Sequence, residues 1–204
     1  MTLSAKGTRL NKRGRETRDH VLKVALRCLA SGDPDAVSAN LVAREAGVTW
    51  GTVQHQFGDV DGLWAAVLEY VADHRGPAVR LADSGDVGTR VRAVLDLMWE
   101  SLELPGQLAL YHLRLSLPRR REDLEEQFPQ TARAIAAWDT AWTEMCEQAF
   151  AGLAVDPDKL AKVRHLLPGA IRGLHNERHL STYTDADAGR EGLAAALTAY
   201  LAAP

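Results

Sequence analysis

Hydrophobic positions recur along this chain at three- and four-residue spacings from one end to the other, and nowhere do they alternate as on a half-buried strand between hairpin turns. The pattern predicts an all-α protein of about nine helices. The first stripe, Val21, Val24, Ala25, Cys28 and Leu29, stops at Gly32 ahead of Asp33-Pro34. A short second helix begins at Ser38, whose hydroxyl can cap it, and buries Val42, Ala43 and Ala46. Gly47 then supplies a turn, because glycine takes positive φ at little cost, and Thr49 caps a third helix with Val53 and Phe57 inward. A fourth helix, capped by Asp59 or Asp61, carries Leu63, Trp64, Val67, Leu68 and Val71 and closes at Gly76-Pro77. Longer stripes follow: Val87 to Leu102, Gly106 to Leu117, Gln130 to Leu153, Pro157 to Ser181, and Ala186 to Ala202. Pro168 should kink or interrupt the helix that begins at Pro157. The change from short to long helices suggests two domains, 1–62 and 63–204, with residues 63–74 as a connecting helix.

Composition is ordinary for a folded protein of 204 residues, with 46% hydrophobic and 25% charged positions. No apolar run reaches the roughly 18 residues of a membrane span, and the polar N-terminus has no apolar stretch of a signal peptide, so no membrane partner and a cytoplasmic location are expected. Cys28 and Cys146 lie too far apart in sequence to form a metal-binding or redox pair, and each reads as a small core residue.

Charge changes the picture when it is divided along the chain. The net charge is -3, yet residues 1 to 23 hold Lys6, Arg9, Lys12, Arg13, Arg15, Arg18 and Lys23 against Glu16 and Asp19, a local balance of +5 that leaves -8 on the remainder. A basic arm on an acidic body suits a partner that is a polyanion.

Three short helices with a glycine turn between the second and third form a helix-turn-helix, whose last helix fits the major groove of duplex DNA. The stretch AGVTWGTVQHQFG carries the candidate reading groups. Gln54 and Gln56 suit a bidentate pair with adenine, Thr49 or Thr52 a thymine methyl or a phosphate, and His55 a guanine or a phosphate. Trp50 can pack on sugar edges, Gly51 allows close approach to the DNA backbone, and Ser38, at the start of the preceding helix, is a further DNA-binding candidate.

Val42-Ala43-Arg44-Glu45-Ala46-Gly47-Val48-Thr49, then Gly51-Thr52-Val53, Phe57 and Leu63, resembles the DNA-binding signature of the TetR family of bacterial transcriptional regulators. The resemblance implies a homodimer with a small DNA-binding domain and a larger domain that binds an effector and dimerises. It implies a repressor released from a palindromic operator by a small, largely apolar molecule. Two departures stand out: the family's third-helix tyrosine is Gln54 here, and the lysine that opens its fourth helix is Val60. Arg9, Lys12, Arg13, Arg15 and Arg18 are expected to replace these phosphate contacts, which predicts a steep salt dependence.

A two-fold dimer would place two reading helices one turn of DNA apart. Leu166, Ile171, Leu174, Leu193, Leu197 and Leu201, beside small Gly and Ala residues, are the expected interface. For the effector, Met98, Trp99, Trp138, Trp142 and Met145 offer apolar surface, with Tyr111, His112, Arg114 and His175 as polar groups to orient a ligand. No metal or other cofactor is expected: His175 and His179 lack the HExxH arrangement and a third ligand. Arg119-Arg120-Arg121 reads as a solvated connection. No phosphate loop or nucleophile motif points to an enzyme. The competing reading is a helix-turn-helix dimer that organises DNA or answers to a protein partner without a small-molecule effector.

Overall fold

The computed structural model of the chain describes residues 7, 10–31, 38–74, 85–104, 106–178, 180 and 183–203. Ten helices lie among them: α1 (Lys12–Ala30), α2 (Ala39–Glu45), α3 (Trp50–Phe57), α4 (Val60–Asp73), α5 (Val87–Leu102), α6 (Gln107–Ser116), α7 (Arg121–Gln127), α8 (Pro129–Ala149), α9 (Pro157–Glu177) and α10 (Ala186–Ala202). The stops expected at Gly32-Asp33-Pro34 and Gly76-Pro77, and the candidates Lys6, Arg9 and His179, lie outside the described residues. Short polar side chains start most helices: Asn11, Ser38, Thr49, Asp59, Asp86, Asp156 and Asp185 each accept a hydrogen bond from a first-turn amide. Each such cap contributes about 1 kcal/mol.

Packing divides the chain into two compact units, Met1–Gly76 with Pro105–Trp138, and Pro77–Leu104 with Asp139–Pro204. This grouping differs from a division after residue 62. In α4 every residue from Asp61 to Leu68 is buried, so the helix is a core element of the first unit rather than a free connector. Val21, Val24 and Leu29 of α1, Val42 of α2, Val53 and Phe57 of α3, and Leu63, Trp64 and Val67 of α4 share one core with Leu110 and Leu113 of α6. His112 of α6 pins the end of α1, its ring nitrogen donating to the Leu29 carbonyl at 2.8 Å.

Two glycines fix the short helices. Gly47 sits at φ +64° in the turn between α2 and α3, where a side chain would be strained. Gly62 lies where the start of α4 passes the end of α3, and a Cβ there would fall on the Phe57 carbonyl oxygen. Asp59 is the cap of α4, donated to by the Gly62 amide at 2.8 Å. Asp61 instead caps a different helix: its two carboxylate oxygens accept from the Gln130 and Thr131 amides of α8, both at 2.8 Å. The Thr131 hydroxyl returns a bond of 3.1 Å to the Asp61 carbonyl. The tenth helix, α7, has no buried residue and so left no apolar stripe to read.

In the second unit Val91, Val94, Leu95 and Trp99 of α5 pack with Val163, Leu167 and Ile171 of α9 and Leu197 and Leu201 of α10. The α9 helix runs on through Pro168, so the interruption expected there does not occur. Proline has no N–H to give to the carbonyl four residues earlier, that of Arg164. The indole N–H of Trp142 takes that place, donating to the Arg164 carbonyl at 3.0 Å.

The expected dimer stripe is corrected by burial. Ile171, Leu197 and Leu201 are in the unit's own core, and Leu174 and Leu193 pack against it; only Leu166 is exposed. An apolar spacing marks the buried face of a helix without saying whether its own chain or a second copy covers it. Among the described residues, no helix is long and apolar enough to cross a membrane.

Candidate nucleic-acid interface

The third helix has two faces of different character. Val53, Gln56 and Phe57 are buried, while Thr49, Gly51, Gln54 and His55 are exposed. Gln54 and His55 make no side-chain hydrogen bond to any described residue, so their donors and acceptors point to solvent. Gly51 is open: a Cβ would meet only the Thr49 hydroxyl oxygen at 3.7 Å. Nothing within the fold requires glycine at this position, where it costs about 1 kcal/mol of helix propensity. The Thr49 hydroxyl accepts from the Thr52 amide at 3.2 Å and pairs with the Thr52 hydroxyl at 3.0 Å, so these two threonines shape the start of α3. Trp50 is half-buried and packs against the first unit's core. Ser38, also half-buried, caps α2 by accepting from the Leu41 amide at 3.4 Å.

Two expected DNA contacts are turned inward. Gln56 is only 5% exposed, and its side-chain amide donates to the Gly14 carbonyl at 3.2 Å. It cannot also present a bidentate edge to adenine. Arg18 donates to the Gln56 carbonyl at 2.6 Å and stacks its guanidinium 4.3 Å from the Phe57 ring centroid. Burial draws the Arg18 pKa down from its usual value, with Glu69 pulling the other way. Sequence alone could not separate these residues from their exposed neighbours, because glutamine and arginine serve either face of a short helix. Lys12, Arg13 and Arg15, by contrast, are exposed on the first turn of α1. Arg15 gives one hydrogen bond to the Leu10 carbonyl at 3.0 Å, and Lys12 meets Glu16 only loosely at 3.9 Å.

The residues expected to meet an effector fall in both units. Met98, Trp99, Trp142, Met145 and His175 belong to the second; Tyr111, His112, Arg114 and Trp138 belong to the first. Met98, Trp142 and Met145 are half-buried against the second core. Trp99 is buried, with the His175 ring edge-on at 5.4 Å and the guanidinium groups of Arg178 and Arg190 at 5.5 and 5.0 Å from its centroid. His175 and Arg178 converge on one Glu103 oxygen at 3.1 and 2.7 Å. The His175 hydrogen bond foremost, with Arg178 adding to it, holds Glu103 below the usual carboxylate range. His112, His175 and the Trp142 indole therefore each have a hydrogen-bond partner within the fold. Arg114 is exposed and Tyr111 half-buried beside His112.

A capped reading helix, braced on one side and open on the other, defines a helix-turn-helix DNA-binding protein. Residues 21–67 match the bacterial regulatory proteins of the tetR family. The likeness in sequence is confined to this segment, which is what the chain shares with that family of DNA-binding transcriptional regulators. Its fold is similar to NalD of Pseudomonas aeruginosa, described as the secondary repressor of the MexAB-OprM multidrug efflux pump, at TM-score 0.64 and 20% identity over 92% of this chain and 98% of that one. The multidrug binding protein EbrR, solved with imidazole, superposes at 0.62 and 20% identity over 99% of each chain. A putative TetR-family regulator from Rhodococcus sp. does so at 0.58 and 24% identity, over 92% of this chain and all 100% of the other. No curated protein matches the chain in sequence.

Proposed function

We propose that the chain reads a palindromic operator as a homodimer and represses transcription until a small, largely apolar effector releases it. The observation that carries the DNA-reading part is the open face of α3, where Gln54 and His55 stand exposed beside an unneeded glycine, Gly51. Residues 1–62 supply the DNA contacts and 63–204 the effector site and dimer face. Lys12, Arg13 and Arg15 hold phosphates, Thr49 and Thr52 approach the backbone, and Gln54 and His55 meet base edges.

The effector part rests on likeness. NalD is described as a repressor of a multidrug efflux pump and EbrR as a multidrug binding protein, and Met98, Trp142 and Met145 offer adaptable apolar surface in the second unit. A ligand there acts only as far as it binds one conformation better than the other.

Selection from a random duplex library tests the reading. An enriched inverted repeat is expected, and Gln54→Ala should relax preference at one position per half-site by about 1–3 kcal/mol. A folded protein that enriches no sequence would overturn it. Release of the selected duplex by apolar cations or dyes, with a matching change in tryptophan fluorescence, tests the effector; binding unaffected by any of them would favour an architectural role.

A further inference from the structure

We infer that Gln56 and Arg18 are positioning residues for DNA binding, forming a two-way clamp that fixes the first turn of α1 against the end of the reading helix. The inference rests on the DNA-binding function proposed above and adds to it how the basic first turn is aligned. Gln56 is the one polar side chain of α3 that is buried. Its amide nitrogen reaches Gly14 on α1, while its side-chain oxygen has no partner. A half-satisfied buried amide is less stable than a leucine of similar size would be, so stability alone does not account for it. The return bond runs from Arg18, on the same stretch of α1, to the main-chain carbonyl of Gln56 itself. That carbonyl belongs to the last turn of α3, where no helical amide can meet it and a cation is favoured.

Two bonds in opposite directions, one to the first turn of α1 at Gly14 and one from the next turn at Arg18, set both the separation and the rotation of α1 on the end of α3. The Arg18 stack on Phe57 closes the third side. Lys12, Arg13 and Arg15 flank Gly14, so the clamp fixes where their charges stand relative to Gln54 and His55 on α3. Gly14 itself has little room, since a Cβ would come within 3.3 Å of both Asn11 and Leu10 side chains. Phosphate contacts set the register in which base edges are read, and here those contacts come from a neighbouring helix held by the Gln56 amide, the Arg18 guanidinium and two main-chain carbonyls.

The test exploits the absence of charge on Gln56. Binding of the selected duplex is measured by anisotropy from 50 to 200 mM salt for wild type, Gln56→Leu and Arg18→Lys. Losing one phosphate contact should lower the slope of log K against log salt by about 0.9 and weaken binding about fivefold at 0.15 M salt. Gln56→Leu is expected to show this although it removes no charge, with base preference at each operator position unchanged. Arg18→Lys keeps the charge and should show the same loss. Circular dichroism melting confirms that both variants are folded. An unchanged slope in folded Gln56→Leu overturns the clamp, and so does a changed preference at one base position, which would make Gln56 a reading residue after all. If wild type itself binds no duplex, the DNA-reading function fails first and the clamp's role fails with it.

Discussion

Cys146 and Cys28 carry the same thiol in different surroundings. Burial in the second unit pushes the Cys146 pKa up to about 12, and Cys28, half-buried at the end of α1, is raised by the same cause. A raised thiol pKa means little thiolate at neutral pH, and thiolate is the reacting form. With a thiol reagent at pH 8, Cys28 should react first and Cys146 only on unfolding. Two equally fast phases in the native protein would contradict the burial of Cys146. Both cysteines were legible as apolar fillers from their spacing. Gln54 and Gln56 were not separable in this way: they are two residues apart in α3, equal in chemistry, and one is exposed while the other is buried under α1. The difference comes from the approach of Gly14, 42 positions away in sequence.

The behaviour of α9 depends on a partner in another helix. Pro168 removes an amide that the Arg164 carbonyl would otherwise accept, and Trp142 of α8 supplies the substitute donor. Leaving a buried carbonyl without a donor costs about 1–3 kcal/mol. Trp142→Phe should therefore lower stability in urea unfolding by about that much when Pro168 is present, and by clearly less in a Pro168→Ala background, where the restored amide serves the carbonyl. Equal effects in both backgrounds would show that the indole bond does not compensate the proline. Helix positions and the caps Ser38, Thr49 and Asp59 were readable because they rest on local periodicity and short polar side chains. The continuation of α9 through Pro168, the capping of α8 by Asp61 and the existence of α7 were not, since the first two depend on residues 22 and about 70 positions away and the third has no apolar face.

At the scale of the molecule, the second unit leaves small side chains outward on its last two helices. Gly169 and Gly173 of α9 and Gly192, Ala195, Ala196 and Ala199 of α10 are exposed, with Leu166 beside the first pair. A Cβ at any of the three glycines would meet nothing within 4 Å, which leaves room for a second helix to come close. A homodimer through this outer face predicts that Ala196→Glu shifts the sedimentation profile from dimer to monomer with helicity retained. Leu197→Ala, on the buried face, should instead cost about 2–5 kcal/mol of stability. Dissociation by Leu197→Ala alone, with Ala196→Glu still dimeric, would place the interface elsewhere.

The all-α class, the helix-turn-helix with its glycine turn, the basic first turn and the family resemblance are written in local pattern, because helix periodicity, capping and local charge depend on residues within a few positions of one another. Tertiary structure decided which polar residues face outward, that α4 and α6 share a core with the DNA-binding helices, and that Ile171, Leu197 and Leu201 serve their own chain. Those outcomes depend on which surfaces meet across long separations, and an apolar or amphipathic pattern says that a face will be covered without saying by what.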